Sequence, residues 1–227
     1  MNLDMIRAAA IRIHGHARVT PLLHSPFLDE IAGKRILVKP ECLQVTGSFK
    51  YRGGRSAVSS IHPEVRKKGV IAFSSSNHAQ GVAQAARDFG VPAVIVMPSD
   101  APRLKLENTR ALGAEVVTYD RATEDRDAIG AALAEERGLT LIKPFDEPEV
   151  IAGQGTVGLE IAAQAKALGV TQAEVLIPCG GGGLTSGTAI ALTVNGGGTG
   201  NLRATLAYDI DPSFATATVL EDVAASR

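Results

Sequence analysis

Residues 70–97 read VIAFSSSNHAQGVAQAARDFGVPAVIVM, which places a polar turn and a helical pattern between two short apolar runs. The apolar runs, at residues 70–73 and 93–97, lack the alternation of polar and apolar side chains that marks a half-exposed strand. Continuous apolar strands are typical of a parallel sheet that helices cover on both faces. This stretch therefore predicts an α/β fold.

The same alternation of strands and helices extends along the chain in both directions. Helices are predicted at residues 3–13, 51–61, 77–89, 103–112, 123–137, 150–168 and 184–194, with one more before Arg227. Strands are predicted at residues 36–38, 70–73, 93–97, 115–119, 139–142, 175–178 and 203–208. Pro144 and Pro148 mark a boundary before the long helix that follows.

The chain has 227 residues and a net charge of -1, from 23 basic and 24 acidic side chains. This balance gives no electrostatic footprint for nucleic acid or an anionic membrane, and we expect neither as a partner. The longest uncharged run, residues 175–202, contains Pro178 and two glycine clusters, which favour a strand, a helix and loops over a membrane span. Two distant cysteines and an N-terminus without the apolar core of a signal peptide favour a reducing cytoplasm.

Four consecutive glycines, Gly180 to Gly183, lie between a predicted buried strand and a predicted helix. Their backbone N–H groups are unobstructed, and with the helix N-terminus they suit an anion, most naturally a phosphate. A tight turn alone needs only one or two glycines. The P-loop pattern fails because no Gly-Lys-Ser/Thr follows, and the dinucleotide pattern fails because Ser186 stands where a third glycine is expected.

A polar segment, Ser74-Ser75-Ser76-Asn77-His78, follows the predicted strand at residues 70–73 and opens the next helix. Hydroxyl groups and free helix N–H groups gathered there suit a carboxylate, whereas a simple helix cap needs one Ser or Asn. A hydrolase built on Ser75 and His78 is disfavoured because no Gly-x-Ser-x-Gly motif surrounds the serine. His78 taken alone is more often a structural residue.

Lys50 lies in the run TGSFKYRG, residues 46–53, among small and apolar neighbours. Burial disfavours the charged ammonium and lowers the pKa of a lysine, and a neutral amine can attack a carbonyl carbon. Lysine holds pyridoxal phosphate (PLP) as a Schiff base in this way. The alternative is an ordinary solvated lysine. For Glu41 the simplest interpretation is likewise a surface carboxylate, and for residues 154–156 it is helix capping.

Together, the lysine, serine and glycine stretches resemble the fold-type II PLP enzymes, which share a tryptophan synthase beta-like fold, and specifically the serine/threonine ammonia-lyase (dehydratase) and serine racemase group. The matching stretches, in family order, are residues 20–22, 39–53, 74–81, 101–117, 143–156 and 177–187. The resemblance implies two parallel-sheet domains with helices on both faces, a smaller one at residues 72–143 inserted into a larger one formed by residues 1–71 and 144–227. It also implies a site in the cleft between them and a homodimer.

The resemblance further implies how PLP would be held. Lys50 would form the Schiff base, Phe49 would pack against the pyridine ring, and Asn77 would hydrogen-bond the 3-hydroxyl group. The phosphate would be bound by Gly180, Gly181, Gly182, Gly183 and the N–H group of Leu184.

The implied reaction dehydrates and deaminates a small β-hydroxy amino acid, L-serine or L-threonine, to a 2-oxo acid and ammonia. The substrate carboxylate would be bound by Ser74, Ser75, Asn77 and His78. The freed Lys50 amine would remove the α-proton. Ser75 also matches the catalytic serine that serves the opposite face in racemases, so a serine racemase is the alternative.

Three departures from the family pattern matter. Ser76 replaces the glycine that usually precedes Asn-His, and its side chain would crowd the carboxylate pocket or shift substrate choice. A cation site for Mg2+ or Ca2+ is implied at Asp211 and the Ala215 carbonyl, although Ala217 stands where a second carboxylate is expected. The family's C-terminal segment, which faces the pyridine nitrogen, has no counterpart before Arg227. A truncated, non-catalytic relative that keeps the fold is therefore a further alternative.

Overall fold

The computed structural model describes residues 1–195, 201–208 and 217–222. The helices are α1 (Leu3–Ile13), α2 (Pro26–Ala32), α3 (Lys50–Ser60), α4 (Pro63–Arg66), α5 (Asn77–Phe89), α6 (Arg103–Ala111), α7 (Arg126–Arg137), α8 (Pro148–Ala167) and α9 (Gly183–Asn195). The strands are β1 (Leu23–His24), β2 (Arg35–Pro40), β3 (Val70–Phe73), β4 (Ala93–Pro98), β5 (Glu115–Tyr119), β6 (Thr140–Leu141), β7 (Gln172–Cys179), β8 (Asn201–Tyr208) and β9 (Ala217–Asp222). The predicted α/β fold class is confirmed, because strands and helices alternate through most of the described chain.

A four-stranded sheet has the order β5-β4-β3-β6, and its strand pairs are parallel. Helices cover both of its faces, as the unbroken apolar runs predict. Val70 and Ala72 of β3 belong to a core that includes α5, whereas Ile71 belongs to a core on the other face with side chains of α7. Because parallel strands end along the same edge, the residues that follow β3, β5 and β6 are brought to one edge of this sheet.

A five-stranded sheet has the order β1-β2-β9-β7-β8 and is mixed. The pair β7–β8 is parallel, and the pairs β1–β2, β2–β9 and β9–β7 are antiparallel. Every described strand pair of the four-stranded sheet is therefore parallel, whereas in the five-stranded sheet the parallel pair is β7–β8. The difference lies in β9, which runs back between β2 and β7, so that β2 and β7 point the same way.

The helix predicted between Tyr208 and Arg227 is wrong for residues 217–222, which form β9. These residues read ATVLED and contain two β-branched side chains. As a strand, the segment pairs with β2 on one side and with β7 on the other. Two ladders of backbone hydrogen bonds outweigh the helical propensity of so short a segment.

Glycines bring three helices close enough for their backbones to touch. A Cβ added at Gly81 of α5 would lie 2.8 Å from the Lys50 carbonyl oxygen, and one at Gly153 of α8 would lie 2.3 Å from the Arg52 carbonyl oxygen. Neither position can take a larger residue unless backbone moves. The helix α3 is therefore held between α5 and α8, and this contact fixes the position of Lys50 at its start.

A separate core joins α8 and α9 to the five-stranded sheet, through Leu37, Val157, Ile161, Val175, Ile177 and Leu192. The core beside α5 also contains Val58 and Val150, which precede and follow residues 72–143. The division into two domains at those bounds remains a prediction. Among the helices of the described residues, none is long and apolar enough to cross a membrane.

Candidate active site

A cavity of about 380 Å3 lies where the residues that follow β3, β6 and β7 meet the start of α3. Crevices at the carboxyl ends of strands are the usual ligand sites of α/β folds. All of the cofactor and substrate residues predicted within residues 1–195 line this one cavity: Phe49, Lys50, Ser74, Ser75, Asn77, His78, Gly180, Gly181, Gly182, Gly183 and Leu184. The fold thus brings together three stretches that are far apart in the sequence, while the role of each residue stays a prediction.

Lys50 is the first residue of α3 and follows Phe49 directly. Its Nζ atom donates a hydrogen bond to the Pro144 carbonyl oxygen at 2.7 Å and lies 5.3 Å from the centroid of the Phe49 ring. Burial lowers the pKa of Lys50 to about 8. Part of the Lys50 population is therefore a neutral amine at physiological pH, which is the form that attacks a carbonyl carbon.

The segment Ser74–His78 joins β3 to α5 and turns its polar groups toward the cavity. The Ser76 backbone N–H donates to Ser74 Oγ at 3.1 Å, which folds the segment back at the start of the helix. Ser76 stands at the N-cap position, yet its side chain makes no capping hydrogen bond within the described residues. The first turn of α5 therefore presents backbone N–H groups and a partial positive charge that suit a carboxylate.

His78 is buried in its neutral form. Burial and the nearby charge of Lys50 lower the pKa of His78 to about 3, although its hydrogen bond to the Ile142 carbonyl acts in the opposite direction. Its Nε2 atom lies 3.0 Å from that carbonyl oxygen and must carry the proton, since a carbonyl only accepts. The other ring nitrogen, Nδ1, is an acceptor that is buried without a partner among the described residues, so the neutral ring has no second N–H to donate to a carboxylate.

The glycine turn, Gly180 to Gly183, connects β7 to the N-terminus of α9. Gly182 has a φ of +83°, a conformation that residues with a Cβ rarely adopt. A Cβ at Gly181 would overlap the Phe145 ring at 2.3 Å, whereas one at Gly180 would meet no atom of the described chain within 4 Å. One face of the turn is therefore packed against Phe145, and the other is open.

Arg52, on the same helix as Lys50, belongs to a buried ionic cluster formed by Lys39, Glu41, Arg52 and Glu160. It donates to Glu41 at 2.8 and 2.9 Å and to Glu160 at 2.6 and 2.9 Å, and Lys39 donates to Glu160 at 2.6 Å. The interpretation of Glu41 as a surface carboxylate is wrong, since only 1% of it is exposed. A charge buried so deeply has to be paired, and its partner lies eleven residues later in the chain.

Arg126 lines the cavity, although the sequence pattern indicates no function for it. It is the first residue of α7, directly after the N-cap residue Asp125, and its guanidinium lies 5.9 Å from the centroid of the Phe73 ring. Among the residues that the structure describes, its closest acidic neighbour is Asp127, with Nε and Oδ2 3.6 Å apart. The signal that points to Arg126 is topological: it belongs to the loop and helix that follow the carboxyl end of β5.

Gln154 and Phe145 also line the cavity without having been predicted there. Gln154 lies in the interior of α8, which begins at Pro148, so helix capping is the wrong interpretation for it. The side chain is fully buried, and among the described residues neither its Oε1 nor its Nε2 atom has a hydrogen-bond partner. No sequence signal marks Gln154, because its exposure to the cavity depends on how α8 packs.

The cavity carries positive charge. Lys50 and Arg126 line it, and no Asp or Glu is found among the described residues of its wall. The N-termini of α5 and α9 add partial positive charge at the same place. This arrangement favours a ligand with several anionic groups.

The predicted cation ligands Asp211 and Ala215 lie outside the described residues. Within the residues that are described, no group of three or more His, Cys, Asp or Glu side chains could hold a metal ion. The Mg2+ or Ca2+ site therefore stays a prediction.

Comparison with known proteins finds relatives that include two ammonia-lyases or deaminases and a racemase. An L-threo-3-hydroxyaspartate ammonia-lyase from Pseudomonas sp is 50% identical over 188 residues, which are 83% of this chain and 57% of the relative. The structure of a T.th. threonine deaminase matches with a TM-score of 0.82 and 46% identity, over 92% of this chain and 65% of that chain. The structure of maize serine racemase matches with a TM-score of 0.84 and 36% identity, over 91% of this chain and 60% of that chain. The chain thus spans 57% to 65% of the length of these relatives.

The family described as pyridoxal-phosphate dependent enzyme matches residues 13–208. This range includes each stretch on which the resemblance to ammonia-lyases and serine racemases rests, and that resemblance is confirmed. Because the match covers most of its length, this chain belongs to the pyridoxal-phosphate dependent enzyme family.

Proposed function

We propose that this chain is a PLP-dependent ammonia-lyase that releases ammonia from a small β-hydroxy amino acid. The observation that carries the proposal is a single cavity lined by a desolvated lysine, a glycine turn at a helix N-terminus and the polar start of a second helix. These features supply a carbonyl-reactive amine, a phosphate site and a carboxylate site, which are the groups that PLP and an amino-acid substrate require.

The residues of the cavity fit PLP. A volume of about 380 Å3 falls within the range of about 300–1,000 Å3 that is typical of small-ligand sites. In the described chain, a Cβ at Gly180 or Gly182 would meet nothing within 4 Å, so the turn has room for a phosphate against its backbone. Lys50 and Phe49 would then take the aldehyde and the ring, as the family resemblance implies.

The chemistry is divided between the cofactor and the side chains. When bound, PLP supplies the sink for the electrons of the substrate Cα–H bond. Lys50 Nζ would be the base that takes the α-proton, because a pKa of about 8 leaves part of it neutral at physiological pH. Ser74, Ser75 and the backbone N–H groups at the start of α5 would hold the α-carboxylate. Loss of the β-hydroxyl group followed by hydrolysis then yields a 2-oxo acid and ammonia.

Arg126 favours a substrate with a second carboxylate. Arg126 lines the cavity with 54% of its side chain exposed, and among the described residues its nearest acidic group is at the weak distance of 3.6 Å. A guanidinium binds a carboxylate through two parallel hydrogen bonds. The Pseudomonas relative is an L-threo-3-hydroxyaspartate ammonia-lyase. We therefore place L-threo-3-hydroxyaspartate, which would give oxaloacetate, ahead of the predicted substrates L-serine and L-threonine.

Racemisation is the second candidate activity. Ser75 lines the cavity with Lys50, so a second proton-transfer group is present at the site. The maize relative is a serine racemase. Accumulation of the D-amino acid, rather than of a 2-oxo acid, would assign the chain to this activity.

The proposal is tested on the purified chain with added PLP. We expect a visible absorption band that Lys50→Ala abolishes, together with equal amounts of ammonia and 2-oxo acid released from the best of the three substrates. A band without turnover of any of them would favour the non-catalytic relative, and a protein that gains no band would reject PLP binding. Dimerisation and a cytoplasmic location stay predictions, to be checked by sedimentation and by fractionation of cells.

Arg126→Ala tests the choice of substrate. We expect kcat/KM for L-threo-3-hydroxyaspartate to fall about 10- to 100-fold, since a hydrogen bond between charged groups contributes about 1.5–3 kcal/mol. The values for L-serine and L-threonine should change by less than about threefold, because their side chains carry no charge. Arg121→Ala is the matched control, since Arg121 pairs with Asp100 at 2.8 Å and is not among the described residues of the cavity wall. Equal losses for all three substrates would contradict the assignment.

A further inference from the structure

Gln154 is a fully buried polar side chain at the edge of the cavity, and both polar atoms of its carboxamide lack partners within the described chain. Buried carboxamides are nearly always hydrogen-bonded, because an unpaired amide gives up its water without compensation. Both atoms are closed off from solvent, and Gln154 is one of the residues that line the cavity. We therefore expect a ligand in the cavity to bind the carboxamide.

A second glutamine on the same helix, Gln164, has both polar atoms of its side chain hydrogen-bonded. Its Oε1 atom accepts a hydrogen bond from Lys39 Nζ at 3.0 Å, and its Nε2 atom donates to the Thr20 carbonyl oxygen at 2.8 Å. Gln164 is not among the described residues that line the cavity. On α8, the side chain of Gln164 has hydrogen-bond partners in the protein, whereas that of Gln154, at the cavity, has none among the described residues.

Contacts with two glycines place Gln154 between the lysine helix and the glycine turn. A Cβ added at Gly53 of α3 would lie 3.1 Å from Gln154 Cγ, and one added at Gly183 would lie 2.7 Å from Gln154 Oε1. The aliphatic part of the side chain therefore crosses α3, and the carboxamide reaches the end of the glycine turn. The same Cβ at Gly183 would lie 3.0 Å from the Phe145 carbonyl oxygen, so the carboxamide stands at the end of the turn where α9 begins, next to the open positions Gly180 and Gly182.

We propose that the Gln154 carboxamide binds the phosphate group of PLP, with Nε2–H donating to a phosphate oxygen. The inference rests on the proposed function, and it adds a side-chain ligand to a site otherwise made of backbone N–H groups. Rotation of the carboxamide about its terminal bond exchanges its oxygen and nitrogen with almost no change in shape, so the donor can face the anion. The buried Gln154 amide lacks a partner beside the glycine turn because its partner is the phosphate of the bound ligand.

The binding test compares PLP with pyridoxal, which lacks the phosphate. Gln154→Leu removes both polar atoms at similar size, and we expect about 10- to 100-fold weaker binding of PLP in absorbance titrations. Pyridoxal binding should weaken by less than about threefold. Gln154→Glu, which places a carboxylate against the phosphate, should weaken PLP binding at least as much and again spare pyridoxal.

Thermal unfolding without cofactor is an independent readout. Gln154→Leu should melt above the parent protein, because it removes buried polar groups that have no partner. It should also gain less than the parent from a fixed concentration of PLP, in line with its weaker binding. Gln164→Leu is the control: it loses two existing hydrogen bonds, so it should melt lower and keep the parent ratio of PLP to pyridoxal affinity.

Different failures separate this inference from the proposed function. A parent protein that gains no visible band with PLP rejects both. A parent that binds PLP, with a ratio of PLP to pyridoxal affinity unchanged in Gln154→Leu, rejects the Gln154 assignment alone. A cofactor-free Gln154→Leu protein that melts below the parent rejects it as well, since Gln154 would then stabilise the fold. If the leucine variant does not fold, the affinity ratio measured on Gln154→Glu decides.

Discussion

Two basic residues near the start of α3, Lys50 and Arg52, differ in how far hydrogen bonds and carboxylates balance their charges. The nitrogen atoms of the Arg52 guanidinium all donate hydrogen bonds, to oxygen atoms of Glu41, Glu160, Thr156 and Arg18. Lys50 Nζ donates one hydrogen bond, to a backbone carbonyl, and pairs with no carboxylate of the described residues. The charge of Arg52 is therefore balanced by carboxylates and carbonyl groups around it, whereas Lys50 lines the cavity without a carboxylate partner among the described residues.

The pKa shifts of the two residues follow from this difference. Burial alone would lower the pKa of Arg52, but hydrogen bonds to Glu41 and Glu160 outweigh burial and raise it. Burial lowers the pKa of Lys50 to about 8 with no partner to oppose it. The ionic cluster thus keeps Arg52 charged, whereas the lowered pKa of Lys50 lets it lose its proton more readily. His78 Nδ1 and the Gln154 carboxamide also lack partners among the described residues, and both residues line the cavity, as is typical of a functional site.

Arg52→Met should produce the largest change in stability. It leaves the Glu41 carboxylate, which is 1% exposed, without its main partner. Breaking a buried ion pair from one side costs about 3–5 kcal/mol. We expect a loss of that size in the free energy of unfolding, measured by urea denaturation of the cofactor-free protein at pH 7.

The control for this prediction is Arg103→Met. Arg103 pairs with Glu107 at 2.6 Å on the surface of α6, with 90% of its own side chain exposed. Exposed pairs of this kind contribute about 0–1 kcal/mol. If Arg52→Met cost no more than Arg103→Met, the ionic cluster would not hold α3 as the hydrogen bonds indicate.

Lys50→Met should act with the opposite sign and a smaller size. The lowering of the pKa of Lys50 from 10.5 to about 8 means that burying its charge costs up to about 3 kcal/mol. Methionine avoids that cost, although it loses the hydrogen bond to Pro144. We therefore expect the cofactor-free variant to be more stable than the parent by about 1–3 kcal/mol at pH 7.

The pH dependence of this gain identifies its cause. Between about pH 8 and 10.5 the unfolded parent binds more protons than the folded parent, so the parent gains stability as the pH rises. The advantage of Lys50→Met should be complete below about pH 8 and absent above about pH 10.5. Urea denaturation at a series of pH values measures it, and an advantage that does not change with pH would contradict the assigned protonation.

The contrast between compensated and uncompensated groups also explains what could be predicted from the sequence. The stretches Ser74–His78 and Gly180–Gly183 are contiguous and lie at junctions between strand and helix, so their function is encoded locally. The helix at residues 77–89 was predictable to the residue, because its polar start and Gly90 mark both ends. Fold class follows from the same apolar runs.

Single residues inside ordinary helices could not be predicted. Gln154 and Arg126 reach the cavity only because α8 packs on α3 through Gly153 and because α7 follows the carboxyl end of β5. The burial of Glu41 depends on Arg52 and Glu160, and no periodicity reveals that meeting. β9 depends on pairing with two strands that lie far from it in the sequence. Each of these features is a property of tertiary packing, which local patterns do not contain.

Gly180→Ala should leave stability almost unchanged and so isolates the site from the fold. In the described chain, a Cβ at Gly180 would meet nothing within 4 Å, and its φ is not positive, so we expect a change below about 0.5 kcal/mol in the free energy of unfolding. The new methyl group would occupy the open face of the glycine turn, where a phosphate needs close approach to backbone N–H groups. PLP affinity should therefore fall about 10-fold, with pyridoxal affinity preserved, in the same absorbance titration. If the variant were stable and bound PLP as tightly as the parent does, the phosphate would bind elsewhere. The open face of the glycine turn would then not be the phosphate site.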